Sequence, residues 1–313
     1  MKLLKFFLFA VPGYFIFCLC GTGFSGCTKV NTVHDTTTVI VKDTVTLTVR
    51  DTTVINDTIM SNITNGLVAY YNFNGGNLND SSGHSNNIVF NSATLTSDRF
   101  GNPNNAFLFD GVSSYMRITN SASLNPNKIT MYAIVKPLGF FQLTCHGNQI
   151  LSKGYPYNIN GFYQLNFFPP ANDAGGGVCS PTVDTTRESF SGGYGDDIPQ
   201  GADAGAPGTG SSDSVAIQKN QWYTVVYTYD GNVANFYVNG ALTSSIPNVT
   251  PVTFTPNVLD LLIGKHENPS YPYYFKGVID EIRIYNRAIN NQEVGYLDLF
   301  RSKYLKSSKK TMY

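Results

Sequence analysis

Charge is scarce in this 313-residue chain: 13% of residues are charged, and 21 lysines and arginines balance 21 aspartates and glutamates. A nucleic-acid binder needs a basic stripe to neutralise phosphates. The one positive cluster here is the tail Lys303, Lys306, Lys309 and Lys310, which reads as a solvated end. No Walker, Rossmann or zinc-ligand spacing occurs, so nucleotide and structural-zinc chemistry have no support. His34, His84, His146 and His266 stand far apart with no nucleophile motif beside them, which leaves a Ser-His-Asp site unsupported. Long helical periodicity, βαβ alternation and solenoid repeats are also lacking, and Trp222 is the single tryptophan.

Apolar runs long enough for a comfortable membrane helix are missing too. Phe6 to Leu19 is short, follows Lys2 and Lys5, and precedes small residues, which predicts a signal peptide over 1–26. Phe24-Ser25-Gly26-Cys27 resembles the bacterial lipobox, with Phe24 where leucine is usual, so Cys27 is the expected lipidation site. Of five cysteines, Cys18 and Cys20 leave with the leader and Cys27 carries lipid. Cys145 and Cys179 then remain as an even pair in an oxidising compartment, predicted to form a disulfide. The chain is thereby expected in the cell envelope as an outer-membrane lipoprotein, with either face of that membrane open to it. Residues 27–65 alternate Thr, Val and Ile, with Asp35, Asp43 and Asp51 eight apart and so on one face of an extended chain. This segment reads as a stalk, with one or two extra strands docked on the domain as the alternative.

What the chain has in abundance is glycine and aromatics: 29 Gly, 20 Tyr and 21 Phe. From Gly66 onward, short aromatic or β-branched runs are separated by Gly/Asn/Asp/Ser turns, the pattern of an all-β, two-sheet antiparallel sandwich. Strands are expected at Leu67–Phe73, Ala106–Phe109, Tyr115–Ile118, Ile129–Val135, Gln149–Ser152 and Phe162–Phe167. Others follow at Trp222–Tyr229, Val233–Val238, Leu259–Ile263 and Phe275–Tyr285. Asp230-Gly231 and Asn239-Gly240 are hairpin signals. Val294, Leu297 and Phe300 have helical spacing, predicting a short helix over Asn290–Phe300. Trp222 opens an alternating strand and is expected in the core. Residues 139–215 interrupt the pattern as a long loop insertion, and 301–313 form a basic tail.

Three blocks carry a family resemblance: GLVAYYNFNGGNLNDSSGHSNN with ATLTSDRFGNPNNAFLFDGVSSYMRI after it, QWYTVVYTYDGNVANFYVNGAL, and LLIGKHENPSYPYYFKGVIDEIRIYNRAINNQEVGYL. Together they look like laminin-G-like jelly rolls of the concanavalin A-like lectin/glucanase superfamily, as found in Bacteroidetes surface lipoproteins. The resemblance covers 66 to about 300 and implies a jelly-roll sandwich over 66–300. It also implies that Asp80, Ser82 and Asp280 approach one another, as a Ca2+ site would require; the alternatives are a turn former for Asp80 and a partner of Arg283 for Asp280. The Glu-x-Asp-x-x-Glu strand of the glucanase relatives is absent here, which argues against a glycosidase. Arg187, Tyr194, Asp196 and Asp197 in the insertion, and Tyr271, Tyr273 and Tyr274 before the last strand, are the candidates for meeting a glycan. The leading expectation is a non-catalytic carbohydrate-binding or adhesion module. An assembly lipoprotein that contacts another envelope protein and a polysaccharide-degrading enzyme are the alternatives.

Overall fold

In Tyr223–Tyr229 every second side chain, Tyr223, Val225, Tyr227 and Tyr229, enters the hydrophobic core, while Thr224, Val226 and Thr228 turn to the opposite face. That two-residue period is the geometry of a pleated strand, and it organises the whole domain. The computed structural model describes residues 6–11, 14–19, 30–31, 63–139, 148–154, 161–168, 189–195, 217–247 and 254–298. It divides into two compact units, Met1–Met60 and Ser61–Tyr313.

In the first unit β1 (Phe6–Val11) pairs antiparallel with β2 (Tyr14–Leu19), and β3 (Val30–Asn31) adds to β2. This hairpin occupies the apolar segment expected to be an export leader. The expected lipidation site Cys27, most of the stalk and the Cys145–Cys179 pair lie outside the described residues.

The second unit begins with β4 (Leu67–Tyr71), β5 (Ile88–Asn91), β6 (Thr94–Thr96), β7 (Ala106–Asp110) and β8 (Met116–Ile118). It continues through β9 (Ile129–Pro137), β10 (Asn148–Lys153), β11 (Phe162–Phe168), β12 (Ser189–Gly195) and β13 (Tyr223–Tyr229). The chain then forms β14 (Ala234–Val238), β15 (Ala241–Ile246), β16 (Leu261–Ile263) and β17 (Lys276–Tyr285). One sheet of six strands runs β12-β11-β10-β16-β8-β5. The other, of eight, runs β15-β14-β13-β9-β17-β7-β6, with β4 also pairing β17. The described pairings are all antiparallel. The expected two-sheet sandwich is what forms, with one short helix at its C-terminal end.

The core lies between the sheets. Phe107, Phe109, Ile279, Ile282 and Ile284 are buried there. Phe73 meets Phe107, and Phe109 meets Phe275, edge to face at centroid distances of 5.2 and 6.0 Å, the arrangement that ring quadrupoles favour. On the outer face of the eight-stranded sheet, Tyr70, Arg283, Tyr132, Val226 and Tyr237 form a row across β4, β17, β9, β13 and β14. Arg283 lies 4.2 Å over the Tyr70 ring and pairs with buried Glu281 at 2.7 Å. Bracing of a carboxylate by Arg283 was expected; the partner is Glu281 and not Asp280.

The helix is described over 291–298, and the rest of its predicted span, 299–300, lies outside the described residues. Asn290 caps it by accepting the amides of Gln292 and Glu293 at 2.9 and 3.0 Å, and Glu293 accepts the Asn290 amide in return. This reciprocal capping box satisfies donors that the first turn cannot. Among the described residues, no helix is long and apolar enough to cross a membrane.

The 139–215 insertion holds a strand that the sequence did not announce. Ser189–Gly195, SFSGGYG, extends the six-stranded sheet as edge strand β12. Its glycines suggested a loop, but Gly192 is there for space. A Cβ at that position would stand 2.6–2.8 Å from the Tyr227 side chain.

Candidate functional site: an aromatic rim

Three neighbouring strands of the six-stranded sheet, β5, β8 and β16, bring distant parts of the chain together on its outer side. Phe90 of β5 pairs with Arg117 of β8, and its ring lies 4.7 Å from that of Tyr115. Lys265, just after β16, places its ammonium 4.8 Å over Tyr115 and 5.8 Å over Tyr274. Such contacts contribute about 0.5–1 kcal/mol each at exposed sites, enough to orient the rings. Tyr274 leads through Tyr273 to Tyr271, whose rings stack at 6.1 Å. Phe90 and Tyr271 are 39% and 42% exposed, so the row has open faces.

The loop that carries the tyrosines is held from both ends. His266 N–H donates to Pro272 O at 2.7 Å, Gln149 N–H to Tyr273 O at 2.9 Å, and Phe275 N–H to Gly264 O at 2.9 Å. Ser270 N–H is bound by the Asn268 side chain, and Tyr271 N–H by the Asn268 carbonyl. Tyr273 adopts a φ of +44°, a left-handed conformation that costs energy for a residue with a Cβ. This turn aims Tyr273 between Tyr271 and the His266 ring, 5.6 Å away. Burial pushes the His266 pKa down to about 4; a hydrogen bond to the Tyr271 backbone opposes the shift and Lys265 adds to it. The imidazole is therefore neutral at physiological pH and packs as an apolar floor.

Polar groups border the rings. Arg117 reaches Asp260 at 3.0 Å across the surface. Burial raises the pKa of Glu267; Lys265 and Arg117 pull it down and Asp260 pushes it up. Asp110 is held well below the carboxylate range. Partial burial opposes that shift, and the amides of Ser113, Ser114 and Val112 with the Ser113 hydroxyl overcome it. Aromatic faces beside ionised and amide groups can take a pyranose: C–H edges against the π-face, hydroxyls to the charged groups.

The other expected residues fall elsewhere. Tyr194 is fully buried: its hydroxyl donates to Pro126 O at 2.6 Å and its ring stacks on Phe254 at 4.7 Å. It shares the inward face of β12 with Phe190 and Gly192, so it serves the core and cannot offer a sugar platform. Arg187, Asp196 and Asp197 lie outside the described residues. Trp222, expected in the core, is only partly buried, because it has the phase of Thr224 and not of Tyr223.

The residues expected to hold calcium are engaged by other partners. Asp80 Oδ1 accepts the Tyr70 and Ser82 amides at 2.9 and 2.8 Å, and Oδ2 accepts the Ser82 hydroxyl and Asn86 amide at 2.7 and 3.0 Å. Asp280, on β17, accepts the Arg99 amide at 3.3 Å. Four donors aimed at one carboxylate fill the lone pairs that a cation would need, so the set does not fit Ca2+. Among the described residues no group of three or more His, Cys, Asp or Glu side chains converges.

Two antiparallel sheets packed face to face define a jelly-roll sandwich. The model of the laminin G family of the concanavalin A-like lectin/glucanases superfamily matches residues 110–295, and the chain belongs to that superfamily. Its fold is similar to that of the binding domain of Paraclostridial Mosquitocidal Protein 1, with 14% identity, a TM-score of 0.53, and coverage of 77% of this chain and 53% of that one. Domain 4 of AbnA, a GH43 extracellular arabinanase from Geobacillus stearothermophilus solved with arabinotriose, matches at 22% identity and a TM-score of 0.47 over 74% of this chain and 98% of that one. The botulinum neurotoxin serotype D binding domain matches at 12% identity and a TM-score of 0.47, covering 78% and 53%. This chain thus spans about half the length of the toxin domains it resembles. A search of the curated proteins gave no match.

Proposed function

We propose that this chain is a non-catalytic carbohydrate-binding module that holds a polysaccharide on its aromatic rim and is carried on the cell envelope by a lipid on Cys27. The observation that carries the binding reading is the group Phe90, Tyr115 and Tyr274, threaded by Lys265, with the stacked pair Tyr273 and Tyr271 on the same loop as Tyr274 and with Arg117, Asp260 and Glu267 as its polar border. Membership of a lectin/glucanase superfamily is consistent with a sugar ligand, although such folds host many functions. The non-catalytic part rests on Glu281, the strand-borne carboxylate on the outer face of the larger sheet. It is fully buried and paired with Arg283, whereas retaining hydrolysis needs two accessible carboxyls about 5 Å apart. The anchor rests on Lys2, Lys5, the apolar Phe6–Leu19 and the lipobox-like Phe24–Cys27.

A glycan array with pull-down on insoluble polysaccharides tests the reading. The mature chain should retain a restricted set of glycans and release no reducing sugar from them. Absence of binding above background removes the sugar, and sugar release removes the non-catalytic assignment.

A further inference from the structure

Away from the rim, on the outer face of the eight-stranded sheet, lies an open pocket of about 260 Å³. Its apolar walls are Trp222 and Phe100, and its polar groups come from Arg99, Thr224, Asn239 and Asp298. We propose that this pocket is a second, separate binding site, and that it takes one neutral pyranose ring.

The geometry gives each part of that assignment. Four elements converge here: the loop after β6, the start of β13 with Trp222 just before it, the β14–β15 turn and the end of the helix. The turn is fixed. Asn239, with a φ of +51°, accepts the Thr224 amide on its side chain at 3.0 Å and donates its own amide to Thr224 O at 2.8 Å. The loop is fixed by the Arg99 amide on Asp280 and by the Arg99 guanidinium 4.8 Å over Phe100. Lys136 stands 5.0 Å over the indole of Trp222. A rigid indole left partly open beside an Arg, an Asp, an Asn and a Thr matches a sugar's two-sided chemistry, with C–H edges for the π-face and vicinal hydroxyls for paired donors and acceptors.

Size sets the number of rings. The volume falls below the roughly 300–1,000 Å³ of clefts that enclose drug-sized ligands, so one ring fits and the middle of a chain does not. Charge sets the class. Arg99 and Asp298 both line the pocket, Lys136 stands over the Trp222 ring, and Asp280 accepts the Arg99 amide. With two cations and two carboxylates, the site has no net charge to favour a uronate.

The pocket reports on itself, because Trp222 is the chain's only tryptophan. Fluorescence of the mature chain would be titrated with methyl glucoside, methyl galactoside, methyl mannoside and sodium glucuronate. At least one neutral glycoside should change Trp222 emission saturably, with a millimolar-range Kd, and glucuronate should bind more weakly. Arg99→Gln and Asp298→Asn should each weaken the neutral sugar about tenfold, the loss expected of one charge-assisted hydrogen bond. Tyr271→Ala, on the rim, should leave this titration unchanged, which separates the pocket from the rim reading. Three silent neutral glycosides, glucuronate as the tightest ligand, or Arg99→Gln and Asp298→Asn variants that both titrate like the parent would overturn the proposal.

Discussion

Acid should loosen the rim before it touches the rest of the domain, and His266 sets the amount. Its folded pKa is about 4 against 6.5 for an unhindered imidazole. The unfolded chain therefore binds more protons through that window, and stability must fall as pH drops from 6.5 towards 4. The two pKa values give a loss of about 2.5 kcal/mol by pH 4.5 and about 3 kcal/mol below pH 4. Glu267 works against this, because its raised pKa makes the folded state the better proton binder just above pH 4.5. The depressed Asp110 and Asp230 lose their contribution only below the ordinary carboxylate pKa, outside the window. The clean comparison is urea unfolding of wild type and His266→Gln at pH 7.5 and 4.5, followed by Trp222 fluorescence. Wild type should lose about 2.5 kcal/mol more than the variant, and sugar retention by the rim should fail over the same range. Equal acid losses in the two proteins would refute the placement of a neutral imidazole beneath Tyr273.

Gly192→Ala should cost about 1–3 kcal/mol in denaturant unfolding, since the new methyl meets the Tyr227 ring at under 3 Å; an unchanged midpoint would mean β12 does not cross that ring. Lys153 is buried with its ammonium on Asn125 and on the Asn257 side chain and carbonyl, and its pKa is lowered to about 8. The unfolded chain then binds more protons above pH 8, so stability should rise by about 2 kcal/mol between pH 7.5 and 9.5. Lys153→Met should flatten that slope. Because Asp80 is saturated by four donors, a chelator titration should leave the melting temperature unchanged, and a fall of several degrees would show that a cation takes those lone pairs.

The sandwich was legible because its strands obey one rule. Tyr223, Val225, Tyr227 and Tyr229 alternate cleanly, and the Gly-x-Ile-Asp-Glu-Ile-Arg-Ile-Tyr stretch of β17 does the same around its bulge at Asp280. The same rule contained the answer for Trp222. Counting back from Tyr223 places it with Thr224, outside, but its size suggested burial. Strand β12 was hidden for a different reason: glycine usually marks a turn, and at Gly192 it makes room for a ring contributed by β13. That signal exists only once the two sheets are stacked. Tyr271, Tyr273 and Tyr274 were visible as an aromatic loop before a strand. Phe90, Tyr115 and Lys265 were not, since the pairing of β5, β8 and β16 unites residues more than 170 positions apart. For Asp80 the nearby Asp-Ser-Ser-Gly turn, with its short-range hydrogen bonds, outweighed the long-range metal site suggested by resemblance.

The rim itself is tested most directly by calorimetry with the tightest glycan from the array, comparing wild type with the Tyr271→Ala/Tyr274→Ala double variant. One exposed and one half-buried ring lost from one binding surface should weaken the glycan about tenfold or more while the melting temperature stays within about 2 °C, since neither ring is a core residue. A double variant that binds that glycan as tightly as wild type would place the sugar somewhere other than this row of aromatic side chains.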